Sequence, residues 1–98
     1  MQKQNAFIKW LEDNTTLASS TVEKYARAVN TISKELKEEN LLEQNLFYIN
    51  DPVIIEKYKE KYLSIPKYHA KDTRGNRMYS NALNYYQKFT KSTGGRKV

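Results

Sequence analysis

Arg77, Asn81, Asn84, Lys88 and Lys91 follow one another at steps of four, three, four and three residues. On a helix that spacing lines them along one face. No acid interrupts the face, and its side chains are of the types that bond phosphate oxygens and base edges. Lys71 and Arg74 precede it in a polar stretch that contains Gly75. The stretch 71–91 therefore offers a polyanion surface, a basic approach feeding a basic helix. A solvated helix face is the plain alternative for a stripe of this kind.

Other chemistry is poorly provided for. His69 is the only histidine and there is no cysteine, so zinc sites and Cys–His nucleophiles lack their parts. The carboxylate pairs Glu12/Asp13 and Glu38/Glu39 are adjacent in sequence, and adjacent residues do not face one another on a helix. Gly75, Gly94 and Gly95 do not form a phosphate-cradling loop at the nucleotide-binding spacing. No catalysis, metal, cofactor or small-molecule substrate is expected.

Charge placement supports a binding role. Residues 1–49 hold six basic and seven acidic side chains, and residues 50–98 hold eleven and four. From Lys67 onward there are eight basic residues against one acid, Asp72. A near-neutral half joined to a basic half suggests one oriented surface for a polyanion. The N-terminal apolar run breaks after Phe7 and Ile8, so it does not read as a signal peptide, and no run is long enough to span a bilayer. With no cysteine, a cytoplasmic setting without a membrane is expected.

The elements that must hold these residues are helical. Residues 3–13 carry Phe7 and Leu11 inward, with Ala6, Ile8 and Trp10 beside them. A second helix is expected from Ser20 to about Glu39, opened by a Ser20/Glu23 capping box and striped by Val22, Tyr25, Ala26, Val29, Ile32 and Leu36. Leu41, Leu42, Leu46 and Ile49 should tuck into the core from a loop. Asp51-Pro52 predicts the start of a third helix over 52–64, with Ile54, Ile55, Tyr58, Tyr62 and Leu63 inward. Ile65-Pro66 stops it. Residues 67–76 then read as a basic connection, with Asn76 capping a last helix that runs to about Thr90. That helix buries Tyr79, Ala82, Leu83, Tyr86 and Phe89. The expected fold is all-α, a single bundle of four main helices over residues 1–91, followed by a linker or tail at 92–98.

This arrangement resembles the SAM-like, core-binding N-terminal domain of tyrosine recombinases and phage integrases. The resemblance spans about residues 3–91 and rests on Thr21 and Tyr25, a Ser/Thr-x-x-x-Tyr opening of the second helix, and on Leu83, Tyr86 and Phe89 in the closing one. The segment R-G-N-R-M-Y-S-N-A-L-N-Y-Y, residues 74–86, with T-V-E-K-Y-A-R-A-V-N-T-I-S-K-E-L, residues 21–36, is also similar to a helical module that opens some restriction endonucleases. There the module precedes an HNH nuclease or a McrB-like motor. The residues at 75–80 are its most specific part. Neither resemblance brings catalytic residues with it. What both imply is DNA binding, and the recombinase relatives face DNA with helices two and four. By position this points to Lys24, Arg27, Arg74, Arg77, Asn81, Asn84 and Lys88.

The expected function is thus a non-catalytic module for double-stranded DNA that serves an integrase- or restriction-type partner. The alternative is a small helical protein–protein interaction domain, anchored by Tyr48 and Tyr85. RNA is a lesser candidate, because the aromatic residues fall mainly on core stripes.

Overall fold

The computed structural model describes residues 2–92, in five α-helices and one 3₁₀ turn. These are α1 (Gln2–Asn14), α2 (Ser19–Glu38), the 3₁₀ turn Leu46–Tyr48, α3 (Pro52–Ser64), α4 (Pro66–Arg74) and α5 (Met78–Ser92). No strand occurs among the described residues. The helix count corrects the expected four, because residues 66–74 fold as α4 and are not a loop. Pro66 explains how. Lacking an N–H it cannot continue α3, but the first position of a new helix needs no N–H. One proline therefore ends one helix and begins the next.

Apart from α4, which follows Ile65 with no side-chain cap bond, helix ends obey local chemistry with two exceptions. Asp51 caps α3 as expected, accepting from Val53 N at 2.9 Å. The Asn14 amide and the Thr15 hydroxyl satisfy the Trp10 and Leu11 carbonyls at the close of α1. The first exception is α2, which begins at Ser19 with Ala18 in the cap position and no side-chain cap bond. Val22 N already bonds Ala18 O at 3.0 Å, so Ser20 is inside the first turn and the expected Ser20/Glu23 box does not form. Glu23 pairs with Arg27 instead, at 3.6 Å. The second exception is the start of α5, described with the site below.

The core is organised around α5, which packs against α1, α2 and α3. Ala82, Leu83, Tyr86 and Phe89 form its buried face, and Tyr79 is half-buried beside them. Phe7, Phe47, Tyr86 and Phe89 meet as an aromatic cluster, with Phe7 and Phe47 edge-on to Tyr86 at centroid distances of 5.3 and 5.2 Å. The Tyr86 hydroxyl donates to the carbonyls of Leu46 and Ile49, each at 3.0 Å, and so fixes the 3₁₀ turn to α5. Leu42, Leu46 and Ile49 are buried as expected, with Leu41 half-buried. On α3, Ile55 and Tyr62 are buried but Ile54 is 40% exposed, which corrects its inward placement. Consecutive helical residues point about 100° apart, and of the two isoleucines it is Ile55 that lies on the packed side of α3. The chain has a Cα radius of gyration of 12.6 Å and extents of 34 × 27 × 20 Å.

A polar clamp joins the C-terminal half of α2 to α3 and α4. Glu35 accepts from the Tyr62 hydroxyl at 2.7 Å and from Lys71 Nζ at 2.8 Å. One turn on, Glu39 pairs with Lys67 at 3.0 Å and accepts from the Tyr68 hydroxyl at 3.3 Å. Between them Tyr62 and Tyr68 stack, with centroids 4.8 Å apart and ring planes 7° from parallel. This clamp is what makes α4 a helix. It supplies partners for a short segment whose own apolar content is low.

Candidate nucleic-acid interface

The stripe on α5 is real as a face but is partly knit into its neighbours. Asn81, Asn84, Lys88 and Lys91 lie opposite the buried side of the helix. Lys59 of α3, itself paired with Glu56 at 3.1 Å, donates to Asn84 Oδ1 at 2.8 Å. The Asn81 side chain lies beside the Tyr25 hydroxyl of α2 and pulls its pKa down. Tyr25 in turn stacks on Tyr85, with centroids 5.4 Å apart, and Lys88 Nζ sits 5.2 Å over the Tyr85 ring. Tyr25, Asn81, Tyr85 and Lys88 therefore form one seam between α2 and α5. Burial, with Tyr85 beside it, raises the Tyr25 hydroxyl's pKa against the opposing pull of Asn81.

The cations of the expected interface, with Lys59 and Lys67 beside them, sort into two groups, while Lys34, Lys37, Lys57 and Lys61 elsewhere are also exposed and without a carboxylate partner among the described residues. Lys59, Lys67 and Lys71 each have a carboxylate partner, and Lys71 also sits 4.7 Å over the Tyr79 ring. For Lys71, burial pulls the ammonium's pKa down, but Glu35 and Tyr79 outweigh it and the net shift is upward. Arg27 is held only by the exposed pair with Glu23, a contact of little energy. Lys24, Arg74, Arg77, Lys88 and Lys91 have no carboxylate within salt-bridge reach among the described residues, and all five are exposed. Lys91 lies apart from the seam, lining a shallow depression with Pro52, Val53, Glu56, Lys57 and Glu60. Of the nine residues expected to contact DNA, Asn81 and Lys88 share the seam. Arg74 and Arg77 share the turn before α5. Lys71 is committed to the clamp.

That turn is the unexpected part. Asn76 and Arg77 both take left-handed backbone, with φ of 56° and 61°. The Asn76 N–H bonds Thr73 O at 3.2 Å and the Arg77 N–H bonds Asp72 O at 2.7 Å, a Schellman closure of α4 with asparagine at its left-handed position. The end of α2 uses the same device at Asn40, whose φ is 59°. Asn76 therefore closes α4 and does not cap α5, which corrects its expected role. The acceptor at the start of α5 is Asp72 Oδ1, which takes the Ser80 N–H at 2.9 Å. Asp72 is 4% exposed. Sequence reasoning missed it because cap signals are sought within three residues of a helix start, and Asp72 lies eight residues before its donor.

Elsewhere, Tyr48, Val53 and Ile54 are the large apolar side chains left exposed among the described residues, at 61%, 62% and 40%. Among the described residues, no group of three or more His, Cys, Asp or Glu side chains could hold a metal ion. None of the helices described is long and apolar enough to cross a membrane. Residues 93–98, including Arg96 and Lys97, lie outside the described residues, and Ser92 is the last residue of α5. No family model, curated protein or solved structure matches this chain.

Proposed function

We propose that this chain is a non-catalytic module that binds duplex DNA through α2, α5 and the turn before α5, a SAM-like core-binding domain in service of an integrase- or restriction-type catalytic partner. The sorting of its cations carries the reading. Lys59, Lys67 and Lys71 are consumed by carboxylates inside the fold, whereas Arg74, Arg77 and Lys88 are exposed and unpaired by acids among the described residues. Charges with no work to do within a fold are available to a polyanion outside it. The two asparagines on α5 are differently placed. Bidentate reading of adenine needs both ends of the amide, yet Asn84 Oδ1 is already bonded to Lys59 and Asn81 lies against Tyr25 in the seam. Affinity then comes from phosphate contacts, tolerates changes of sequence and falls steeply with salt.

An NMR titration of the isotope-labelled chain with a short duplex, at low and at moderate salt, tests this. Residues 74–77, Asn81, Tyr85 and Lys88 should shift at low salt, and the shifts should shrink at higher salt. A duplex that moves none of them at low salt ends the proposal. The exposed side chains of Tyr48, Val53 and Ile54 favour the second reading, a protein partner. A salt-insensitive complex mapped to those three residues, with α5 unmoved by duplex, would put that reading in its place.

A further inference from the structure

The start of α5 breaks two local rules at one residue. Arg77 is in the cap position, where Ser, Thr, Asp or Asn normally accepts a backbone N–H. A guanidinium has no acceptor. The same residue holds φ at 61°, a left-handed backbone that suits glycine and, less well, asparagine. Its neighbour Asn76 fits such a backbone, but Arg77 does not. The fold compensates. Asp72, buried on α4, supplies the missing acceptor through its bond to Ser80 N, and its carbonyl holds the Arg77 N–H. The Arg77 side chain itself makes no ion pair or hydrogen bond among the described residues, and it is exposed. A backbone constraint held in place from elsewhere, around a side chain with no partner in the fold, marks a residue whose partner lies outside.

We infer that the α4–α5 turn is a preformed clasp for the DNA backbone, in which Asp72 is a positioning residue. By capping α5 in place of residue 77, it leaves the Arg77 guanidinium free to act with Arg74 on phosphates of one duplex. This rests on the DNA-binding reading above and deepens it. Guanidinium forks match phosphate oxygens. Holding the turn in one conformation before contact lowers the ordering cost of binding. Asp72 is the only acid after Lys67, and its buried carboxylate is committed to Ser80. The turn therefore presents positive charge without an exposed acid of its own.

Strain and binding pull in opposite directions, which makes the inference testable. Affinity for a fluorescent duplex and the melting temperature are measured on the whole chain and on Arg77→Gly, Asn76→Gly, Asp72→Asn and Asp72→Ala. Arg77→Gly should raise the melting temperature by about 4 °C as the left-handed strain is relieved. It should also weaken duplex binding about tenfold and reduce the slope of log affinity against log salt by about one. Asn76→Gly should leave affinity unchanged. Asp72→Asn keeps an acceptor oxygen and should bind as the parent does, whereas Asp72→Ala, assayed where it is still folded, should lose affinity although every cation remains. Parent-like affinity and salt slope in Arg77→Gly would overturn the clasp while leaving DNA binding standing. A parent chain that does not bind duplex at low salt would overturn both.

Discussion

At the scale of single residues, the informative positions are those where a side chain does work that its type alone does not announce. Tyr86 reads in the sequence as one more apolar position of the α5 stripe, and its ring is indeed buried. Its hydroxyl, however, bonds two carbonyls 37 and 40 residues away, partners that no local pattern reveals. Burial pushes that hydroxyl's pKa up, so it is a donor at neutral pH. Tyr86→Phe keeps the ring and removes this donor from both carbonyls, of which Leu46 O still accepts the Ile49 N–H at 2.9 Å. We predict a loss of about 1–3 kcal/mol, read from urea unfolding curves. Gly75 teaches the converse. Glycine invites the reading of a left-handed turn residue, yet the left-handed positions are Asn76 and Arg77, and Gly75 has an ordinary φ of −90°.

At the scale of elements, legibility followed how local the determining signal was. Helix α3 came out as residues 52–64, as expected, because Asp51, Pro52 and Pro66 mark both its ends within the chain itself. Helix α4 was not legible. Its nine residues bury only Tyr68 and Asp72, and what stabilises it is the clamp to Glu35 and Glu39, more than 25 residues upstream. The clamp has a pH signature. The Lys67 hydrogen bond and charge lower the pKa of the Glu39 carboxyl below its ordinary 4.5, so its contribution is present above that value and is lost as pH falls through the lowered pKa. Lys67 and Lys71 are raised above 10.5, so theirs is present below that value and is lost as pH rises through the raised pKa. Melting temperature against pH should therefore fall on both sides of a plateau. Glu39→Gln should flatten the acid limb and leave the alkaline limb dominated by Lys71. An unchanged acid limb in that variant would show that Glu39 does not couple to folding.

At the scale of the whole molecule, net charge conceals a division of labour. The chain carries +6, but a reader of the sequence alone counts Lys67 and Lys71 with Arg74 and Arg77 as one basic stretch. Folding separates them, because the acids that neutralise the first two come from α2. The stripe on α5 was legible from its period. The capture of Asn84 by Lys59 of α3 was not, since it depends on which helices flank α5. Two sets of substitutions should behave differently. Replacing Arg74, Arg77 and Lys88 together with Gln should leave stability within about 0.5 kcal/mol while duplex affinity drops. Replacing Lys67 and Lys71 with Gln should lower the melting temperature and leave Arg74, Arg77 and Lys88 in place. Thermal melts and fluorescence anisotropy on the same samples separate the outcomes, and a large loss of stability in the triple variant would show that those charges serve the fold.

The single tryptophan has a practical consequence. Trp10 packs half-buried with its ring centroid 5.9 Å from that of Phe89, and it lines the same shallow depression as Tyr85 and Lys88. The molecule thus carries its own optical gauge beside the seam. Anything that settles over Lys88 changes the water around that indole, and intrinsic emission reports occupancy without a dye attached to either partner.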